Sequence, residues 1–113
     1  MTRGILSTCY VPLSADWLEG AGDPAARIAD VYDGFYADAP FVRVVKTPPT
    51  TKHVWGSNYC HVYAHYDERS RKLLVVSCID NLVKGGAGQA IQNMNLMLGI
   101  GETRGLDSIP IYP

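Results

Sequence analysis

Residues 80–96, DNLVKGGAGQAIQNMNL, gather the side chains best suited to chemistry: Asp80, Asn81, Lys84, three glycines, then glutamines and asparagines. A glycine-rich run entering a helix is a place where backbone N–H groups can collect around an anion. Here the lysine precedes the glycines and no Ser or Thr follows them, so the GxxxxGK[ST] pattern is not met, and GxGxxG is absent as well. A self-contained nucleotide site is therefore not expected. Glycines at this place instead let another backbone or a flat ligand approach the helix start. The amides of Gln89, Asn93 and Asn95 either satisfy groups on that neighbour or stand in solvent.

Cys9, Cys60 and Cys78 are an odd set with no CxxC spacing, which argues against a disulfide framework and for a reducing, cytoplasmic setting. All three lie in segments that read as strands, without the sharp turn or adjacent base that a thiolate nucleophile needs. Cys60-His61 with His65 is the one grouping that resembles a metal site. Adjacent residues on a strand point to opposite faces and do not grip one ion, so no metal is expected. Lys84 with His61 or His65 would supply an acid and a base by residue type alone.

These residues need elements to hold them. GILSTCYVPL, residues 4–13, is rich in β-branched and aromatic residues and reads as a strand ending near Pro12. Asp23-Pro24 opens a helix, the aspartate as cap and the proline at a position whose N–H would be orphaned anyway. Ile28, Val31, Tyr32 and Phe35 then fall on one apolar stripe. FVRVVK, residues 41–46, is a second strand, reached by a helix of crossover length. TPPTTKHVWGSN follows as a long loop, taken as a connector at the sheet edge.

NYCHVYAHY and RKLLVVSCID flank a hairpin turn at residues 67–70. A three-residue loop, 68–70, would set Cys60 opposite Cys78. One face would then carry Cys60, Val62, Ala64 and Tyr66 over Cys78, Val76, Leu74 and Lys72, apolar enough to lie under helices. The other would carry Tyr59, His61, Tyr63 and His65 over Ile79, Ser77, Val75 and Leu73. Such amphipathic aromatics favour a protein interface, as against an ordinary half-exposed sheet. The last helix is expected from about Ala87 to Leu98, with Ala87, Ala90, Ile91, Met94, Met97 and Leu98 on its apolar stripe and Gly99 as the stop. The tail from Gly99 has no period of its own and must drape over something. Together these describe an α+β domain with a mixed or antiparallel sheet and helices on one face.

The chain has 113 residues, the size of one domain able to bury a core without staples. Ten basic and eleven acidic side chains leave a net charge of -1 with no like-charge run, which disfavours nucleic acid and anionic lipid as partners. No apolar stretch approaches the roughly 20 residues of a membrane helix, and MTRGILSTCYVPL lacks the plan of a signal peptide.

GSNYC, VVSCIDNLVKGGAGQAIQNMNLMLG, the opening MTRGILST and the closing GLDSIPIYP, in that order, closely resemble the C-terminal part of the N-acetyl-gamma-glutamyl-phosphate reductase family. The resemblance implies the α+β catalytic and dimerisation domain that follows a Rossmann domain, like the C-terminal domain of glyceraldehyde-3-phosphate dehydrogenase, here truncated and without the Rossmann part. It implies an NADPH-dependent reduction of an acyl phosphate to a semialdehyde in arginine biosynthesis, through a cysteine thioester. The family's cysteine motif and its histidine segment are not among these residues, so the chain is expected to be a piece of a longer protein, inactive alone. By the same resemblance Asn81 matches the asparagine that meets the nicotinamide carboxamide, with Lys84 and Gly85 one turn away from the same ligand. A homo-oligomer formed through the Tyr59, His61, Tyr63 and His65 face is the partner expected. The alternative is a free-standing, non-catalytic module that dimerises through its sheet.

Overall fold

A computed structural model describes residues 2–20 and 22–111. Four strands form one sheet: β1 (Ile5–Pro12), β2 (Val42–Val44), β3 (Cys60–Asp67) and β4 (Lys72–Ile79), in the order β1-β4-β3-β2. β1 and β3 run antiparallel to β4, and β2 runs parallel to β3. The helix between β1 and β2 therefore crosses over two intervening strands. That helix, α2 (Pro24–Phe35), starts as its sequence dictates: the Asp23 carboxylate accepts the Ala25 N–H at 3.0 Å and Pro24 occupies the first turn. A short helix, α1 (Ala15–Glu19), precedes it, capped by the Ser14 hydroxyl, and was not expected from periodicity because five residues are too few to show any.

The hairpin corrects the expected register. Asp67 pairs with Lys72, so the loop is four residues, 68–71, and Cys60 faces Ile79 while His61 faces Cys78. Two features make the longer turn. Asp67 accepts the Arg69 N–H and the Ser70 hydroxyl, and Arg71 adopts a left-handed φ of 53°. A one-residue slip exchanges the faces of a strand. The Tyr/His face of β3 is thus continued by Cys78, Val76 and Leu74, and the Cys60 face by Ile79, Ser77, Val75 and Leu73. On the latter face α2 packs against β3, with Ile28 and Val62 both buried.

The loop after β2 is more than an edge connector. Its 3-10 turn, Thr51–Val54, lies on the other face against β3 and β4, where His53 approaches His61 and the Thr50 carbonyl accepts the Cys78 thiol at 3.3 Å. Val54, Ser57 and Asn58 are fully buried there. The tail drapes over this loop: Leu106 is buried and the Ile111 N–H donates to the Trp55 carbonyl at 2.8 Å.

The last helix, α3 (Gly88–Met97), is turned the opposite way from the sequence expectation. Gln92 and Asn95 are buried, whereas Ile91, Met94, Met97 and Leu98 are exposed. Its end is as expected: Gly99 takes φ 66° and the Ile100 N–H reaches back to the Asn95 carbonyl at 2.8 Å. The expectation of a sizeable core is not met. Buried apolar residues are confined to Ile28, Phe41, Val54, Val62, Cys78 and Leu106 among the described residues. The radius of gyration, 16.0 Å, exceeds the roughly 13 Å usual for a compact domain of this length.

Candidate functional site

Beyond β4 the chain turns at Asp80, which is fully buried at the sheet's end. One carboxylate oxygen accepts from the Arg3 guanidinium and from the Gly56 N–H, both at 2.7 Å. The other accepts the N–H groups of Leu82 and Val83 at 2.9 and 3.2 Å. Burial works against ionisation, but these four donors outweigh it and hold the carboxyl below its ordinary range. The next turn is wide. The Gly85, Ala87 and Gly88 N–H groups bond the carbonyls five residues earlier, of Asp80, Leu82 and Val83. Donors entering α3 are thereby spent within the turn, which removes a phosphate cradle on geometric grounds.

Asn81 is half-buried at this corner. Its Oδ1 accepts the Gly4 N–H at 2.6 Å, and since that backbone group can only donate, the carbonyl end of the amide has to face it. Its Nδ2 has no partner among the described residues. Lys84 is drawn inward instead: the ammonium donates to Gln92 Oε1 at 2.6 Å and lies 5.4 Å from the Phe41 ring centroid. Burial lowers its pKa, against the opposing pull of Cys60 and Glu102. Gln92 is the hub of this network, with Oε1 also accepting from Asn58 Nδ2 at 3.0 Å and Nε2 donating to the Glu102 carboxylate at 2.6 Å. Asn95 Nδ2 reaches the Glu102 and Arg104 carbonyls.

Gly85 is exposed and makes no approach that demands glycine. Gly88 does: a Cβ there would strike the Asn58 side chain and Val83. The close approach expected of the glycines is realised within the chain, at the third of them. Asn81, Lys84 and Gly85 are thus brought within one turn, held by Asp80, which the sequence had singled out beside Asn81, and by Arg3, Gly4, Gln92 and Glu102, whose part in it went unread in the sequence. The acid and base suggested by residue type do not meet. His61 answers to His53 and Arg43, His65 stacks on Tyr63 at 5.9 Å, and Lys84 keeps to Gln92 and Phe41.

Burial raises the Cys60 thiol, against the opposing charge of Lys84. Burial, reinforced by Cys60, pushes Cys78 up to about 11. Neither is poised as a thiolate. No group of three metal-ligating side chains occurs among the described residues.

Residues 1–81 match the family described as semialdehyde dehydrogenase, dimerisation domain. Among curated relatives, the N-acetyl-gamma-glutamyl-phosphate reductases of Shouchella clausii and Symbiobacterium thermophilum are 50% and 53% identical to this chain, and that of Brevibacillus brevis 47%. Each alignment takes in 100% of this chain and 32% of the relative, so the chain spans about a third of their length. With the family model matching residues 1–81 of 113, the chain belongs to the semialdehyde dehydrogenase dimerisation-domain family.

Proposed function

We propose that this chain is the dimer-forming portion of an N-acetyl-gamma-glutamyl-phosphate reductase, acting within a longer cytoplasmic protein whose other part is a Rossmann domain. The observation that carries this reading is the identity of about half, sustained over the whole chain, with proteins of that name. The open architecture supports it, because exposed apolar residues on the sheet and on α3 are surfaces made to be covered. Of the Tyr59, His61, Tyr63 and His65 face, the His61 end lies under the chain's own Thr51–Val54 turn, and the Tyr63–His65 end is assigned to a second copy about a two-fold axis. Tyrosine and histidine each carry an apolar body and a polar tip, so two copies can satisfy one another.

NADPH, when bound, supplies the hydride that takes the acyl phosphate to the semialdehyde. Asn81 suits the cofactor's carboxamide because its amide stands at a half-exposed corner with an NH2 that no described residue engages. Gly85 gives the same rim an uncovered backbone, and Lys84, drawn inward onto Gln92, supports that turn from within. Half-buried Cys60 and buried Cys78, whose thiols burial pushes up, and the strand-borne Cys9 do not suit thioester formation, so the nucleophile and base are assigned to the remainder of the enzyme.

The test joins this chain to the remaining two thirds of the Shouchella clausii reductase and follows NADPH oxidation by the acyl phosphate. The isolated chain should show no turnover and the joined enzyme should be active. Asn81→Ala should slow it on the order of 100-fold, as misplacing the hydride donor by about 1 Å does. A folded, dimeric joined protein without turnover would contradict the reading. So would turnover by the isolated chain that replacing Cys9, Cys60 or Cys78 abolishes.

A further inference from the structure

We propose that the Thr51–Val54 turn is a latch released by acid: when His61 beneath it takes up a proton, the turn lifts from the sheet while the strands stay paired. His61 is half-buried, and three elements close on it. From the turn, His53 brings its ring to 6.2 Å from the His61 ring, centroid to centroid, and the adjoining Lys52 lies over the Trp55 ring. From β2 comes its register partner Arg43, held over the Tyr59 ring at 4.7 Å, and from β4 comes Cys78. On its own strand, Tyr59 and Tyr63 share its face. The cations in this set are unopposed, since no carboxylate of a described residue pairs with the His61 ring. A charged His61 would stand in a partly dry site among like charges. Burial first, then His53, then Arg43 accordingly hold its pKa below the ordinary 6.5. The turn is the part that can leave. The Cys78 thiol, a weak donor, holds its Thr50 carbonyl at 3.3 Å, and its entry is closed by His53 Nδ1 accepting the Thr50 N–H at 3.1 Å. Just beyond it, Trp55 Nε1 donates to the Arg3 carbonyl and the Gly56 N–H to Asp80, so a lifted turn slackens the corner as well.

The lowered pKa belongs to the docked turn and the ordinary one to the lifted turn. Docking is therefore favoured above pH 6.5 and is lost as pH falls through the docked value. One proton is coupled, so the ratio of lifted to docked turn rises by at most about tenfold per pH unit. Hydrogen exchange followed by NMR on the 113-residue chain, between about pH 7 and about pH 5 and expressed as protection factors, tests this. Asp80, held below its ordinary 3.8, does not titrate in that range. Protection of the Gly56 N–H and the Trp55 indole N–H should fall by up to about tenfold per pH unit below 6.5, while the amides of β3 and β4 keep theirs. His61→Gln, polar without titrating, should hold the Gly56 and Trp55 protection throughout. Arg43→Gln, at an exposed side chain, removes one opposing cation, brings the two pKa values closer and should shrink the total loss. Protection of Gly56 in wild type undiminished at the acid end would overturn the proposal. So would the same loss in His61→Gln, or a loss shared by β3 and β4. If His61→Gln does not fold, Arg43→Gln decides: a loss as large as that of wild type overturns the latch.

Discussion

Asp80 is the residue on which the corner depends. Replacing it with alanine leaves the part-buried Gly56, Leu82 and Val83 N–H groups without that acceptor, each at about 1 kcal/mol. Asp80→Ala should therefore lose at least about 3 kcal/mol in urea unfolding, against about 1 kcal/mol or less for Arg3→Ala, whose side chain is 36% exposed. Linkage gives a second readout. The folded Asp80 pKa lies below the ordinary 3.8, so the unfolded chain binds the proton more readily; the stability is present above that value and is lost as pH falls through the folded pKa. His61, also lowered in the fold from its ordinary 6.5 by burial and then by His53 and Arg43, gives the same sign in a higher window. Stability should decline in two steps on acidification, and Asp80→Asn should flatten the lower one. At this scale the sequence disclosed the Asp80-Asn81 corner, because polar residues closing an apolar strand stand out. It could not disclose Arg3 and Gly4: they lie 77 positions away from their partners and meet them only because β1 pairs with β4.

Among the elements, α3 shows what periodicity can and cannot say. Its two faces were legible from spacing, but which one turns inward depends on partners elsewhere in the chain. Asn58, Lys84 and Glu102 satisfy every polar group of the Gln92 amide, so the amide face is buried and the apolar face is left outside. Gln92→Leu should accordingly destabilise the chain by about 2–3 kcal/mol in chemical denaturation, since it strands buried donors and an acceptor at once. Met97→Lys, at a side chain 85% exposed, should stay within about 0.5 kcal/mol. The opposite ranking would mean that α3 packs through its apolar stripe. The hairpin carries a similar lesson. Alternation located both strands, but their register depended on the left-handed Arg71, a conformation that an arginine does not advertise.

For the whole molecule, a slab with extents of 45 × 34 × 17 Å leaves large apolar side chains on the sheet and on α3 exposed, as the proposed dimer requires. The resemblance in the last helix region made the family readable from the sequence; the alternating tyrosines and histidines raised the interface that is proposed above. Length said only that 113 residues can bury a core, not how much of the apolar surface this chain alone covers. Val62→Glu, which places a carboxylate beneath α2 where Val62 is 5% exposed, should unfold the chain. Tyr63→Glu sits on the opposite face, where in the proposed dimer a charge would meet its own symmetry mate. Sedimentation velocity on the wild-type chain and on Tyr63→Glu measures that interface directly. The expected result is a wild-type dimer and a folded Tyr63→Glu monomer. A Tyr63→Glu chain that remains a dimer of wild-type stability would contradict it.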